Sequence, residues 1–174
     1  VGEIRDRETA EIAVQAALTG HLVLTTVHTN DAIGAITRLK DMKVEPFLIA
    51  STVRAVLAQR LVRRLCAECR TATAAADSLA GLLGIAAGAT VYEPGGCPAC
   101  GNSGYKGRVG LFEAVKVDET IRRLINAGGD EAAITAHAFR SSDTLADAAR
   151  ALVLDGTTSP EEAVRVSRHE SADA

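Results

Sequence analysis

The sequence predicts an α/β fold that carries a cysteine-bearing insertion and ends in a helical C-terminal region. Three observations lead there. Residues 1–27 read as strand end, helix, strand. Four cysteines fall into two C-x2-C pairs, Cys66/Cys69 and Cys97/Cys100. From Asp118 onward the pattern is helical. Hydrophobic residues make up 47% of the 174, enough for a real core. With 3% aromatics and no Trp, that core must be built from Ala, Val, Leu and Ile.

Val1-Gly2 reads as the last residues of a strand, so further sequence is expected upstream of Val1. Asp6 can cap a helix over Arg7–Leu18, with Ile12, Ala13, Ala16 and Ala17 on one apolar face and Gly20 at the C′ position. Leu22–Val27 is a continuous apolar or β-branched run, as a buried parallel strand should be. Together these make a βαβ unit with a right-handed crossover. Thr29-Asn30-Asp31 offers caps for a helix over Ala32–Met42, with Ala32, Ile36 and Leu39 on one face. Glu45-Pro46 breaks the chain, a helix follows over Phe47–Leu57, and Arg60–Leu65 reads as a strand.

The stretch 71–89 is Ala-, Gly- and Thr-rich, with a small helix predicted at Asp77–Leu83 and a short strand at Val91-Tyr92. Arg108–Val117 alternates as a strand does. Asp118 caps a helix reaching Asn126, and Asp130 and Asp143 open two more. Ser159-Pro160-Glu161-Glu162 has the form of a capping box with Pro at the first helical position, and a frayed tail is expected from Glu170. This organisation divides the chain into 1–65, 66–117 and 118–174.

Charge is uneven beneath the net −3: residues 1–70 carry +2 and residues 118–174 carry −5. The basic excess gathers at Arg54, Arg60, Arg63, Arg64 and Arg70, which could face phosphate, an acidic partner or water. No apolar run approaches the roughly 18 residues that span a bilayer, and the opening does not resemble a signal peptide, so a cytoplasmic location is expected.

The cysteine spacing, Cys66-x2-Cys69-x27-Cys97-x2-Cys100, suits a tetrahedral thiolate site for structural Zn²⁺. Two disulfides or free buried thiols are the alternatives, and a cytoplasmic setting disfavours disulfides. Four ligands leave no open position for catalysis. The knuckles lack aromatics among basic residues and the chain is acidic, so nucleic acid is not the expected partner. In consecutive parallel strands the carboxyl ends share one sheet edge, which puts Glu3 and His28 on the edge where α/β folds bind ligands. A carboxylate there can orient water or a Mg²⁺ shell toward a phosphate. Taken singly, Glu3 is also compatible with a surface or capping role and His28 with a structural one. His21, seven residues before His28, would lie about 23 Å away along a straight strand, too far to share one phosphate within a subunit. The glycine-rich Gly101–Gly107 lacks the order G-x4-G-K-[ST] and is not a P-loop.

Taken together, Val-Gly-Glu-Ile-Arg-Asp-x-Glu-Thr-Ala at 1–10, Gly-His-Leu-Val-Leu-Thr-Thr-Val-His-Thr-Asn at 20–30, Ala-Gln-Arg-Leu-Val-Arg at 58–63, the paired C-x2-C and Gly-Tyr-Lys-Gly-Arg-Val-Gly at 104–110 resemble the C-terminal part of type II secretion and type IV pilus assembly motor ATPases, the GspE/PilB family. The resemblance implies the C-terminal part of a RecA-like P-loop NTPase core that works with ATP and Mg²⁺ as a homohexamer. Such a motor sits at the cytoplasmic face of the inner membrane, with inner-membrane platform and cytoplasmic adaptor proteins as partners. It makes Gly2-Glu3 part of a Walker B motif, with Glu3 the catalytic carboxylate. His21 to His28 becomes a histidine box with His28 near the γ-phosphate, and Arg60 gains a nucleotide- or interface-linked role. Cys66, Cys69, Cys97 and Cys100 match the family's zinc-binding subdomain, which retraction motors usually lack. Walker A has no counterpart in these residues, so the chain by itself is expected not to hydrolyse ATP. Lys43 stands where the family often has Gly after Met, a change expected to matter only at the surface. The alternative is a non-catalytic, zinc-stapled interaction module of the same machine.

Overall fold

A computed structural model describes residues 1–171, with side chains through Val166. Contacts group the chain into two interleaved units, 1–58 with 113–142, and 59–112 with 143 onward. This grouping cuts across the three consecutive segments read from the sequence: 118–142 joins the first segment and the later helices join the cysteines. Among the described residues no helix is long and apolar enough to cross a membrane.

The first unit holds α1 (Arg7–Leu18), α2 (Gly34–Asp41) and α3 (Pro46–Thr52). α5 (Glu119–Asn126) and α6 (Glu131–Ala138) complete it. α1 forms where predicted because Asp6 accepts from the Thr9 N–H at 2.8 Å and Gly20, at φ +95°, releases the chain after Thr19. Its buried face is Ala10, Ala13 and Val14, one step round from the expected one, and Ile12 is 61% exposed. The small side chains let α1 and α5 both pack on α3. Ile33, Ile36, Ile49, Ile121, Ile125 and Ile134 fill the centre. α5 and α6 start at their predicted caps, Asp118 and Asp130. His137 of α6 also bonds Asp118 at 2.7 Å, and that bond, then the Ile121 N–H, holds the Asp118 carboxyl below the usual range.

The predicted strand Leu22–Val27 does not close into a ladder. Residues 1–4 run beside 24–26 in the same direction, with the Ile4 N–H donating to the Thr26 carbonyl at 2.9 Å and the Val1 amine to the Leu24 carbonyl at 3.1 Å. Val23 and Val27 lean on the core, but Leu22 and Leu24 are 83% and 75% exposed. An apolar run of this kind is buried on both faces only when neighbouring strands and helices flank it on both sides, and here residues 1–4 lie along one side of it.

Lys43 is more than a surface change. α2 ends in a Schellman turn, with Lys43 N–H bonded to the Lys40 carbonyl at 2.8 Å and Val44 N–H to the Leu39 carbonyl at 3.1 Å. Lys43 occupies the turn's left-handed position at φ +66°, where glycine carries no Cβ penalty.

The second unit contains β2 (Thr71–Ala74), α4 (Asp77–Leu83) and β3 (Thr90–Glu93). α7 (Leu145–Leu154) and α8 (Pro160–Ser171) pack on β3. β2 and β3 are antiparallel, pairing Thr71 with Glu93 through Ala74 with Thr90. α7 begins at a Thr144/Asp147 capping box, one residue after the predicted Asp143. Helix α8 reaches Ser171, and the rest of the tail expected to fray lies outside the described residues. Two longer strands, β1 (Ala55–Leu65) and β4 (Tyr105–Lys116), pair with each other, and each contributes residues to both units. Helix α3 ends at Thr52 rather than Leu57 because β1 claims residues from Ala55.

The predicted box at Ser159 is only half formed. Ser159 Oγ accepts from the Glu162 N–H at 3.3 Å, but the Glu162 carboxylate turns away to β1. It accepts the Arg63 backbone N–H at 2.7 Å and pairs with the guanidinium groups of Arg63 at 3.0 Å and Arg165 at 3.1 Å. Glu162 is 2% exposed on its side chain. Burial pushes its pKa up, yet the bonds from Arg165 and Arg63 overcome this and hold it at about 2. Thr158 Oγ1 donates to the Arg63 carbonyl at 2.8 Å, so this turn satisfies both backbone groups of one β1 residue.

Two outcomes follow from these local structures. Lys43→Gly should stabilise the protein by about 1 kcal/mol, the cost of a left-handed non-glycine residue, and raise its melting temperature by a few degrees. Because Glu162 has a depressed folded-state pKa, its contribution is complete above its ordinary value of 4.5 and is lost as pH falls toward 2. Glu162→Gln should therefore lower the melting temperature at neutral pH, and the gap from the parent should narrow on acidification across this window. An unchanged gap would remove the carboxylate from that role.

Candidate functional site

The geometry of the first unit brings Glu3 and His28 together. Two backbone bonds from residues 1–4 to 24–26 set the register, and the Thr26 hydroxyl donates to the Gly2 carbonyl at 2.9 Å. His28 Nε2 then lies 2.9 Å from Glu3 Oε2. Arg5 pairs with the other carboxylate oxygen. The Arg5 hydrogen bond first, and then that of His28, holds the Glu3 carboxyl below the ordinary carboxylate range. The pair is accessible: the His28 side chain is 80% exposed and that of Glu3 26%. An ionised carboxylate with a fixed imidazole neighbour can orient a water molecule and hold a proton donor near an incoming oxyanion.

His21 is elsewhere in the unit. Its Nδ1 is 3.1 Å from Thr19 Oγ1 and 3.2 Å from the Ala16 carbonyl, at the end of α1. Gly2 is not forced by crowding, because a Cβ there would meet nothing within 4 Å. Arg60 belongs to the second unit, where its guanidinium lies 3.4 Å from the Gln59 carbonyl. Arg5 was missed from the sequence, although strand alternation places residues 3 and 5 on one side.

The four cysteines converge in the second unit. Sγ separations are 3.9 Å for Cys66–Cys97 and 3.8 Å for both Cys69–Cys100 and Cys97–Cys100, and all four atoms lie within 4.8 Å of one another. A tetrahedron with metal–sulfur bonds of about 2.3 Å has edges of about 3.8 Å, so the donor set fits Zn²⁺. Local turns produce this arrangement. The Arg70 and Cys69 N–H groups fold back onto the Cys66 carbonyl, and Pro98–Cys100 forms a single 3-10 turn. Gly95 is obligatory, since a Cβ there would fall 2.2 Å from the Cys69 carbonyl oxygen. Bonding from the Cys97 backbone, reinforced by that from Gly104, pushes the Cys100 thiol down to about 6, while desolvation pushes Cys69 up to about 12. Arg70 beside the knuckle stacks on Tyr92, 4.7 Å from its centroid, and donates to the Gly156 carbonyl.

Comparison with known proteins adds to this geometry. A family model described as type II/IV secretion system protein matches residues 1–165. The chain is 53% identical over 172 residues to type II secretion system protein E of Pseudomonas aeruginosa, covering 98% of the chain and 34% of that relative. Against the type II secretion system ATPase E of Vibrio cholerae, identity is 46% over 170 residues, covering 97% and 34%. The chain thus spans about a third of the length of these curated relatives. Its fold is similar to the crystal structure of the pilus retraction motor PilT with bound ADP, at a TM-score of 0.64 and 24% identity over 95% of this chain and 38% of that one. It is equally similar to the Legionella pneumophila ATPase DotB, at 0.64 and 23%, over 97% and 38%.

Proposed function

The chain belongs to the type II/IV secretion system protein family, and on that premise we propose that it supplies the carboxylate and histidine of an ATP-hydrolysing site in a longer motor protein. The Glu3–His28 hydrogen bond carries this reading. Glu3, ionised and flanked by Arg5, orients the attacking water and would help to hold Mg²⁺ when it is bound. His28 donates toward the γ-phosphate region. Bound Mg²⁺ would neutralise charge on the phosphates. The phosphate-cradling G-x4-G-K-[ST] loop is not among these 174 residues, so the chain alone does not turn over ATP. His21 and Arg60 are assigned to contacts between elements or subunits of a homohexamer. The reading takes this motor to work at the cytoplasmic face of the inner membrane with platform and adaptor proteins. Identities near 50% to proteins of type II secretion favour pseudopilus assembly over pilus extension as its task.

The tetrathiol cluster is assigned structural Zn²⁺, held by Cys66, Cys69, Cys97 and Cys100. Four thiolates leave the ion closed to substrate, and its contribution is to tie two turns with little apolar core of their own.

In the full-length protein, Glu3→Gln should lower ATP turnover by roughly 10²-fold, the scale of a lost acid–base or positioning group. Turnover within a few fold of the parent would leave the interaction-module reading in its place. Metal analysis of protein purified under reducing conditions should find about one zinc per chain. Chelation, or Cys97→Ser, should increase hydrogen exchange across residues 66–110 while leaving α1, α3 and α5 protected; protein free of metal would overturn the zinc assignment.

A further inference from the structure

We infer that Glu113 is a positioning residue for His28, acting through the turn that follows it. Strand β4 alternates, and its inward positions are Leu111, Glu113 and Val115. A carboxylate in that series is costly unless it has partners. Glu113 is 2% exposed, and its Oε1 accepts the backbone N–H of Ala32 at 2.9 Å, across 81 residues of sequence. Ala32 is fully buried and lies four residues after His28.

The turn needs this anchor. Helix α2 starts at Gly34 after Ile33, which offers no side-chain cap. Two N–H groups at the start of the helix are met instead by carboxylates: Asp31 Oδ1 accepts from Gly34 at 2.6 Å, and Glu113 accepts from Ala32. Both lie at the positive end of the helix, where negative charge is favoured. Thr29 Oγ1 donates to the Asp31 carbonyl at 2.9 Å, which ties the first residue after His28 into the same turn. His28 itself is 80% exposed on its side chain, so packing does little to hold its ring. Its direction toward Glu3 depends on the backbone that Glu113 pins from below.

The catalytic part of this inference rests on the proposed role of His28; the positioning part does not. The test combines ring ¹⁵N chemical shifts of His28 with steady-state ATP turnover of the full-length protein, in the parent, Glu113→Asp and Glu113→Gln. The shorter Asp withdraws the acceptor from Ala32, whereas the Gln amide oxygen keeps it. Glu113→Asp should move the His28 ring shifts toward those of Glu3→Gln. It should also lower kcat by about tenfold to a hundredfold, with KM within about twofold, as a misplaced catalytic group does. Glu113→Gln should leave ring and kcat close to the parent. Unmoved ring shifts in Glu113→Asp overturn the inference whatever happens to turnover. Ring shifts that Glu113→Gln displaces from the parent toward those of Glu3→Gln overturn it too, and this arm stands if Glu113→Asp does not fold. Moved shifts with unchanged kcat support the positioning and overturn the catalytic assignment of His28 instead.

Discussion

A buried carboxylate accepting a distant backbone N–H is the interaction on which each unit depends. In the first unit Glu113 takes the N–H of Ala32; in the second, Glu162 takes that of Arg63. Each bond joins segments more than 80 residues apart. An unmet buried N–H costs about 1–3 kcal/mol and a buried carboxylate without partners costs more, so each partner makes the other tolerable. Glu162 adds two guanidinium groups, and with Thr157, whose carbonyl accepts the Leu65 N–H, and Thr158 it replaces a neighbouring strand along part of β1. Arg63 is clasped further by Tyr105, 4.0 Å below its guanidinium, whose hydroxyl bonds Ser159 at 2.8 Å.

The candidate site shows how exposed polar groups can be held. The Glu3–His28 and Glu3–Arg5 pairs lie near water, where such pairs contribute little to stability. Their alignment comes from backbone geometry: two bonds between 1–4 and 24–26 on one side, and a capped turn at 29–34 on the other. The thiol cluster solves the same problem differently. Short turns at 66–70 and 97–104, set by local backbone bonds and by Gly95, bring four sulfurs to tetrahedral spacing.

Much of this was legible in the residues. Asp6, Asp118 and Asp130 marked helix starts because a short acidic side chain satisfies free N–H groups wherever it precedes a helical run. The spacing of the cysteines foretold their convergence, and strand order foretold that of Glu3 with His28. Where the reading failed, a long-range partner had outcompeted a local one. Glu162 forms no reciprocal cap with Ser159 because Arg63 offers a backbone N–H and a charge together. The buried face of α1, which packs on α3, is Ala10, Ala13 and Val14 and leaves Ile12 exposed. Leu22 and Leu24 are exposed because a strand's burial belongs to its neighbours.

The sequence by itself therefore determined the helix starts at Asp6, Asp118 and Asp130, the thiol set and the two residues meeting at one edge. All of these follow from short-range periodicity and capping chemistry. Only the tertiary structure decided that the chain divides into interleaved units, that Lys43 bears a left-handed turn and that Glu113 and Glu162 are structural anchors. No local signal separates a carboxylate bound for solvent from one that closes a backbone gap 80 or more residues away. A lone acid in the inward series of β4 was the one clue, and its meaning depended on finding the N–H of Ala32 opposite.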